Sequence, residues 1–180
     1  MKVLLDACVL YPTVMREVLL SVAAKGHFTP LWSDRILEEW ARAARKIGPT
    51  GEAQARGEVA LVRAAWPASS VSQYEGLERG LYLSDENDIH VLAAAIKGSA
   101  DILLTMNAKD FPRHVLAEEG VERRDPDGFL WEIWSHHPED VAQAVEQVRQ
   151  TAERLSGQPW DMRALLKKAR LPKLGKALTA

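Results

Sequence analysis

The sequence predicts an α/β fold with a central parallel sheet, followed by a helical segment at the C-terminus. Short apolar runs that suit buried strands alternate with stretches of helical periodicity, and the first such run, Lys2–Leu5, is followed by a helical pattern over residues 13–25. From His136 onward the pattern is helical only, over residues 138–155 and 162–169. Strands that alternate with helices form βαβ units, and these units build parallel sheets.

The second strand and the helix after it are predicted from residues 28–32 and the segment that follows them. Residues 28–32 form a short apolar run, and Ser33 is a good N-cap for the next helix. Leu37 and Trp40 lie on one face of that helix, which predicts that this face is buried. Glu39 lies two turns into the same helix.

The rest of the predicted sheet comes from shorter signals. After a break at residues 48–51, a helix is predicted over residues 52–65 and a short strand at Val71. Ser84 is the predicted cap of a strongly apolar helix that ends at Gly98. The remaining predicted elements are a strand over residues 102–105, a loop over residues 106–112, an edge strand over residues 121–124 and a helix over residues 128–134.

Four acidic residues are predicted to meet at one edge of the sheet, and these are Asp6, Glu39, Asp88 and Asp110. Ligands of open parallel sheets bind outside the carboxyl ends of the strands where the strand order switches, and Asp6 and the loop after Thr105 follow two such strands. Two unit charges about 4 Å apart repel by about 4 kcal/mol at an effective dielectric of about 20, whereas a whole domain is stable by only about 5 to 15 kcal/mol. The cluster therefore predicts a divalent cation, and oxygen-only ligands favour Mg²⁺ or Mn²⁺ over zinc.

Three titratable residues close to these four in the sequence have other predicted roles, and they are Glu38, Asp85 and His90. Glu38 and Glu39 diverge by about 100° on a helix, so only one of them can face the site, and we select Glu39. Asp85 suits the first turn of its helix, and its spacing from Asp88 would also let it reach a second metal. His90 lies two residues beyond Asp88 and is predicted to face elsewhere, in a packing or surface role.

Composition limits the class of protein. The single cysteine, Cys8, excludes an internal disulfide framework, and no apolar run approaches the roughly 20 residues that span a bilayer, so we expect an intracellular protein. The net charge of −2 hides an asymmetry, because the last 21 residues carry six basic side chains against one acid. That tail is +5 and the remainder is −7. The tail suits solvated charge, an RNA-phosphate contact surface or a docking surface for an acidic partner.

Three segments of the chain together resemble PIN-domain nucleases, and within them the VapC-like toxins of type II toxin-antitoxin pairs. They read LLDACVLYP, PLWSDRILEEW and SDENDIHVLAAAIKGSADILLTMNAKDFP. The resemblance implies a three-layer α/β/α fold with a central parallel sheet and metal-dependent cleavage of RNA. The helical C-terminus is like that of one branch of these toxins, which implies a nuclease domain over residues 1–134 and an extension over residues 135–180.

The resemblance also implies roles for individual residues. Asp6, Glu39 and Asp88 match the core acids of the family and Asp110 matches the more variable fourth acid, while Thr105 and Asn107 match polar residues beside it. Asp6, Asp88 and Asp110 are the implied ligands of Mg²⁺ or Mn²⁺. Cys8 stands where the family usually has a small polar residue, so we expect the hydrogen bond that supports Asp6 to be weak or absent.

The resemblance further implies a cytoplasmic protein that acts on RNA, a cognate antitoxin protein as partner, and a homodimer. One alternative keeps the fold without the chemistry, as a catalytically degenerate module that binds RNA or a protein partner. A phosphoacceptor signalling domain also clusters acids at strand ends, but it needs a lysine after its last strand, which the sequence does not clearly show.

Overall fold

The computed structural model describes all 180 residues and contains one sheet with flanking helices. The strands are β1 (Lys2–Leu5), β2 (Thr29–Ser33), β3 (Ser70–Val71), β4 (Ile102–Leu104) and β5 (Glu122–Arg124). The helices are α1 (Ala7–Leu10), α2 (Thr13–Ala24), α3 (Asp34–Ala43), α4 (Gly51–Ala65), α5 (Glu75–Glu78), α6 (Ile89–Lys97), α7 (Arg113–Glu118), α8 (Pro126–His136), α9 (Pro138–Ser156), α10 (Met162–Lys168) and α11 (Pro172–Leu178). Two 3₁₀ turns cover Ala44–Ile47 and Glu86–Asp88.

The five-stranded sheet has the order β3-β2-β1-β4-β5 and is parallel, which confirms the predicted α/β class. The strand order reverses between β1 and β4, because the chain builds outward from β1 first through β2 and β3 and then through β4 and β5. Leu5 at the end of β1 lies opposite Leu104 at the end of β4. The residues that follow these two strands therefore emerge side by side at the switch point.

The chain divides into two compact units that do not follow sequence order. The first combines Met1–Tyr11 with Thr29–Arg123, and the second combines Pro12–Phe28 with Arg124–Ala180. The sheet belongs to the first unit, together with α1 and α3 to α7. Its core is formed by the central strands, since Val3, Leu4 and Leu5 are fully buried. Burial on both faces explains why β1 reads as a continuous apolar run without alternation.

Helix α3 carries Glu39, and the 3₁₀ turn Glu86–Asp88, which directly precedes α6, carries Asp88. Ser33 caps α3 as predicted, because its Oγ accepts a hydrogen bond from the backbone N of Ile36 at 3.2 Å. Helix α6 packs against β1, β2 and β4 and ends at Gly98 as predicted. A Cβ at Gly98 would lie 2.9 Å from Leu31 Cδ1, so glycine lets this helix end approach the sheet without displacing the Leu31 side chain.

Several sequence-based predictions at element ends are wrong. Ser84 does not cap a helix, because Asp85 caps the 3₁₀ turn Glu86–Asp88 and α6 begins only at Ile89. The second strand begins one residue later than predicted, and β4 ends at Leu104 rather than at Thr105. The short helices α1, α5, α7 and α11 were not predicted, because helices of four to seven residues show too little periodicity.

The second unit is helical. Helix α2 packs on α9, α8 packs on α9 and α11, and α10 packs on α11. Asp127 organises one junction by accepting hydrogen bonds from the backbone N atoms of Lys173 and Leu174, at 2.8 and 2.9 Å, where α11 begins. The predicted helices over residues 138–155 and 162–169 are confirmed as α9 and α10. No helix anywhere in the chain combines the length and apolarity that crossing a bilayer requires.

Candidate metal centre

Asp6 stands at the switch point of the sheet, directly after β1, and its side chain is held in place. The residue is only 7% exposed. Its Oδ2 accepts a hydrogen bond of 2.6 Å from the Thr105 hydroxyl, which follows β4. Thr105 Oγ1 in turn accepts from the backbone N of Asn107 at 3.0 Å. The hydroxyl proton is therefore directed at Asp6, and the carboxylate is fixed by the neighbouring strand.

Cys8 adds a second contact to the same carboxylate oxygen, through its thiol. Its Sγ lies 3.1 Å from Asp6 Oδ2 and accepts a hydrogen bond of 3.3 Å from the backbone N of Met106. Burial, and then the charge of Asp6, raise the pKa of the Cys8 thiol to about 12. The sulfur therefore keeps its proton and donates a hydrogen bond to Asp6, so the supporting hydrogen bond is present, in the weak form that a thiol provides.

Three further aspartates converge beside this position. One carboxylate oxygen from each of Asp85, Asp88 and Asp110 lies within 4.8 Å of the others. The Asn107 amide links two of them, because its Nδ2 lies 2.7 Å from Asp110 Oδ2 and 3.4 Å from Asp88 Oδ2. Asp85 Oδ1 accepts from the backbone N and the side-chain amide of Asn87, at 2.9 and 3.0 Å.

Asp88 stands at the centre of the acidic cluster. Its pKa is raised to about 6, first by burial and then by four negative neighbours. In order of decreasing effect, those neighbours are Asp6, Asp85, Asp110 and Glu39. Asp88 therefore experiences all the other acids of the cluster at once, because a like charge nearby disfavours the ionised form of a carboxyl.

Glu38 and Glu39 face opposite environments. Glu38 pairs on the surface with Arg56, through two hydrogen bonds of 2.8 and 2.9 Å, and with Arg42 at 2.7 Å. These bonds, Arg56 first, lower the pKa of Glu38 to about 2. Glu39 instead contributes to the negative field at Asp88 and lies 3.7 Å from Arg35 Nε. Of the two, Glu39 is the residue that the structure brings to the acidic cluster.

His90 contacts Glu39, and the sequence did not predict this contact. The residue is fully buried in α6, and its Nε2 lies 2.7 Å from Glu39 Oε1. Neither ring nitrogen has a hydrogen-bond partner, so the contact is a close approach of the imidazole to the carboxylate. A histidine inside the apolar run of α6 was the available signal, because buried polar groups are normally partnered.

The match to a family model comes from the same part of the chain as the acidic cluster. A model described as the PIN domain matches residues 2–109, which is more than half of the chain. The chain belongs to the PIN-domain family. PIN domains are metal-dependent nucleases that bind divalent metal through acidic residues. Comparisons with curated proteins and with solved structures gave no match.

The side chains of this PIN domain fit a hard divalent cation. Every candidate ligand atom in the cluster around Asp88 is a carboxylate oxygen, the donor type that Mg²⁺ and Mn²⁺ prefer. Burial and then repulsion by the neighbouring acids have raised the pKa of Asp88, and a bound cation would relieve that repulsion. Asp110 lies one residue beyond the match to the family model, but its carboxylate belongs to the same cluster.

Proposed function

We propose that this PIN domain is an endoribonuclease that hydrolyses RNA phosphodiester bonds with Mg²⁺ or Mn²⁺, and that it is the toxin of a toxin-antitoxin pair. One observation carries the proposal, namely the convergence of Asp6, Asp85, Asp110 and Glu39 on Asp88, whose pKa is raised to about 6 first by burial and then by these four negative neighbours. The parallel sheet does not require carboxylates to lie this close together. Such repulsion is expected where a site is arranged to bind a cation and a phosphate.

Asp6, Asp88 and Asp110 are the proposed metal ligands, and Asp85 is a supporting acid within reach of a second ion. When bound, the cation supplies Lewis-acid chemistry, which neutralises phosphate charge and makes water a better nucleophile. The protein's own contribution is orientation. Thr105 and Cys8 fix Asp6 Oδ2, while Asn107 donates to Asp110 Oδ2 and so sets the direction of that carboxylate.

Glu39 either ligates a metal or orients the attacking water through a hydrogen bond from that water to its carboxylate. Its side chain is 38% exposed, so substrate and water can reach it. The close contact with His90 Nε2 and the longer one with Arg35 hold Oε1 between two groups. His90 is not the base, because it is fully buried and cannot contact a bound RNA.

The proposed partners are an RNA substrate, a cognate antitoxin and a second copy of the chain, in the cytoplasm. We assign nuclease activity to residues 1–134 and treat residues 135–180 as a helical extension. In that extension Lys173 lies over the Trp131 ring at 3.6 Å and Lys168 over the Trp160 ring at 4.9 Å. The other basic side chains of the tail are exposed, which suits contacts with RNA phosphate or with an acidic partner; they are Arg163, Lys167, Arg170 and Lys176.

The 5′ ends of cellular RNA test this proposal. RNA from cells that express the wild-type protein, the Asp6→Asn variant or the Asp34→Asn variant is sequenced. Asp34 is a matched control, because it is a 77% exposed aspartate on the surface of α3. We expect new 5′ ends with the wild type and Asp34→Asn but not with Asp6→Asn. Identical ends in all three would exclude cleavage by this site, and no new ends in any would favour the binding-module alternative.

A further inference from the structure

A second group of metal-ligating side chains lies in the helical unit, apart from the acidic cluster. His27 lies in the loop between α2 and β2, directly after Gly26, whose φ of +88° turns the chain. His137 is the N-cap of α9, and Asp140 lies in the first turn of that helix. The three side chains come from two segments that are 110 or more residues apart in sequence, and the fold alone brings them together.

The donor atoms are close enough to share one ion. His27 Nε2 lies 2.9 Å from Asp140 Oδ2, and the His27 and His137 ring centroids are 4.5 Å apart. One ligand atom from each residue lies within 4.8 Å of the other two. Ligands of a tetrahedral zinc ion with bonds of about 2.0 to 2.1 Å are separated by about 3.3 Å. Small rotations of the side chains therefore suffice to surround an ion.

Two imidazoles and one carboxylate differ chemically from the all-oxygen cluster around Asp88. Imidazole nitrogen is a borderline ligand that suits zinc, whereas Mg²⁺ prefers oxygen alone. Two histidines and one carboxylate, with a fourth position left to water, form an established ligand set for zinc. We propose that His27, His137 and Asp140 form a Zn²⁺ site that joins the loop after α2 to the start of α9.

The neighbouring charges allow this site. Lys25 Nζ lies 3.8 Å from Asp140 Oδ1, the oxygen that does not contact His27. An ion at Oδ2 therefore replaces the His27 hydrogen bond and leaves the lysine contact intact. The N-terminus of α9 opposes a cation weakly, but it stabilises the Asp140 carboxylate that the site needs.

Exposure provides both access and freedom of movement. His137 is exposed and the Asp140 side chain is 47% exposed, so both can rotate, whereas the His27 side chain is only 12% exposed and is held in place. The less exposed His27 thus fixes the position of the site, and the more exposed His137 and Asp140 close on the ion. Binding an ion to the folded state alone also stabilises that state by mass action.

Titration of the full-length, chelator-treated protein with Co²⁺ tests the site. Co²⁺ replaces Zn²⁺ in such ligand sets and gives visible d–d absorption whose intensity depends on the coordination geometry. We expect wild type to develop an intense band with one equivalent of Co²⁺, and stoichiometric Zn²⁺ to bleach it while excess Mg²⁺ does not. The band is expected to be absent in His137→Ala and in His27→Gln, where glutamine can still hydrogen-bond to Asp140.

Two control variants make the test specific. His136→Ala removes the exposed histidine next to His137 and should keep the band. Asp88→Asn alters the acidic cluster and should keep it too, so the result does not depend on the proposed nuclease activity. Absence of the band in wild type, its persistence in His137→Ala, or its loss in Asp88→Asn would each overturn the zinc site. The last result would assign the bound ion to the acidic cluster.

Discussion

His90 Nε2 lies 2.7 Å from Glu39 Oε1, so a fully buried histidine of α6 contacts the one acid that α3 contributes to the cluster. Both helices pack against β2, and this contact joins them at the edge of the site. Because His90 is fully buried, it acts on Glu39 and not on the substrate. It is a positioning residue.

Replacing His90 should therefore reduce turnover more than substrate affinity. We expect His90→Ala to lower the cleavage rate by about 10- to 100-fold, the range found when a partner of a metal-site ligand is removed. His90→Asn should recover part of this loss, because it retains a polar group near Glu39. Steady-state kinetics on a labelled RNA separate kcat from KM. The exposed His114 provides the control variant His114→Ala, and equal losses in both variants would argue against positioning.

Glu39 and Glu38 give a matched pair on adjacent positions. Glu39→Gln should reduce cleavage by at least about 100-fold if this carboxylate orients the attacking water. Glu38→Gln should leave cleavage near the wild-type rate, because Glu38 pairs with Arg56 and Arg42 on the surface. Single-turnover cleavage with saturating metal measures both. Equal activity of the two variants would remove Glu39 from the proposed mechanism.

The support of Asp6 by Thr105 can be tested by removing one hydroxyl. Thr105→Val keeps the shape of the side chain and deletes the 2.6 Å hydrogen bond, so we expect metal affinity to fall by about 10- to 100-fold. Cys8→Ser, which keeps a donor beside Asp6 Oδ2, should bind metal as tightly as wild type. Calorimetric titration with Mn²⁺ compares the two variants. Unchanged affinity in Thr105→Val would mean that Asp6 is positioned by other contacts.

The raised pKa of Asp88 predicts how the metal-free protein responds to pH. Its folded pKa of about 6 lies above the ordinary value of 3.8, so the folded state binds more protons than the unfolded state between these two values. Stability should therefore fall as pH rises through about 4 to 6. The full shift corresponds to about 3 kcal/mol, which solvent screening at this partly exposed group reduces to about 1 kcal/mol.

Asp88→Asn removes this effect and should be about 1 kcal/mol more stable than wild type at pH 7 without metal, with the difference vanishing near pH 4. Denaturant unfolding in the presence of a chelator measures both proteins across this range. Mg²⁺ should reverse the order, since it stabilises the wild type more than the variant. A difference that does not change with pH would show that repulsion at Asp88 is not its cause.

The sequence sufficed to predict the α/β class, the parallel sheet and most of the longer elements. Continuous apolar runs such as β1, and the long stretch of helical periodicity in α9, are strong local signals. The switch point followed from the βαβ connections. Asp6 and Thr105 could be placed together for that reason, since both follow central strands.

The contacts that complete the site could not be read from local patterns. His90 was expected to face away from Asp88, because the two residues were assigned to one continuous helix. In the structure His90 is fully buried, which agrees with a packing role, but its contact with Glu39 joins two helices that are distant in the sequence. The grouping of His27 with His137 depends on tertiary packing between distant segments, and no sequence spacing reports it.

The most direct test of the acidic cluster is the dependence of RNA cleavage on added Mn²⁺, measured with chelator-treated wild type and Asp88→Asn. We expect no cleavage by either protein without metal, saturable recovery of the wild type as Mn²⁺ is added, and no recovery of the variant at the concentrations that saturate the wild type. Cleavage that persists in excess chelator, or equal recovery of both proteins, would contradict the account.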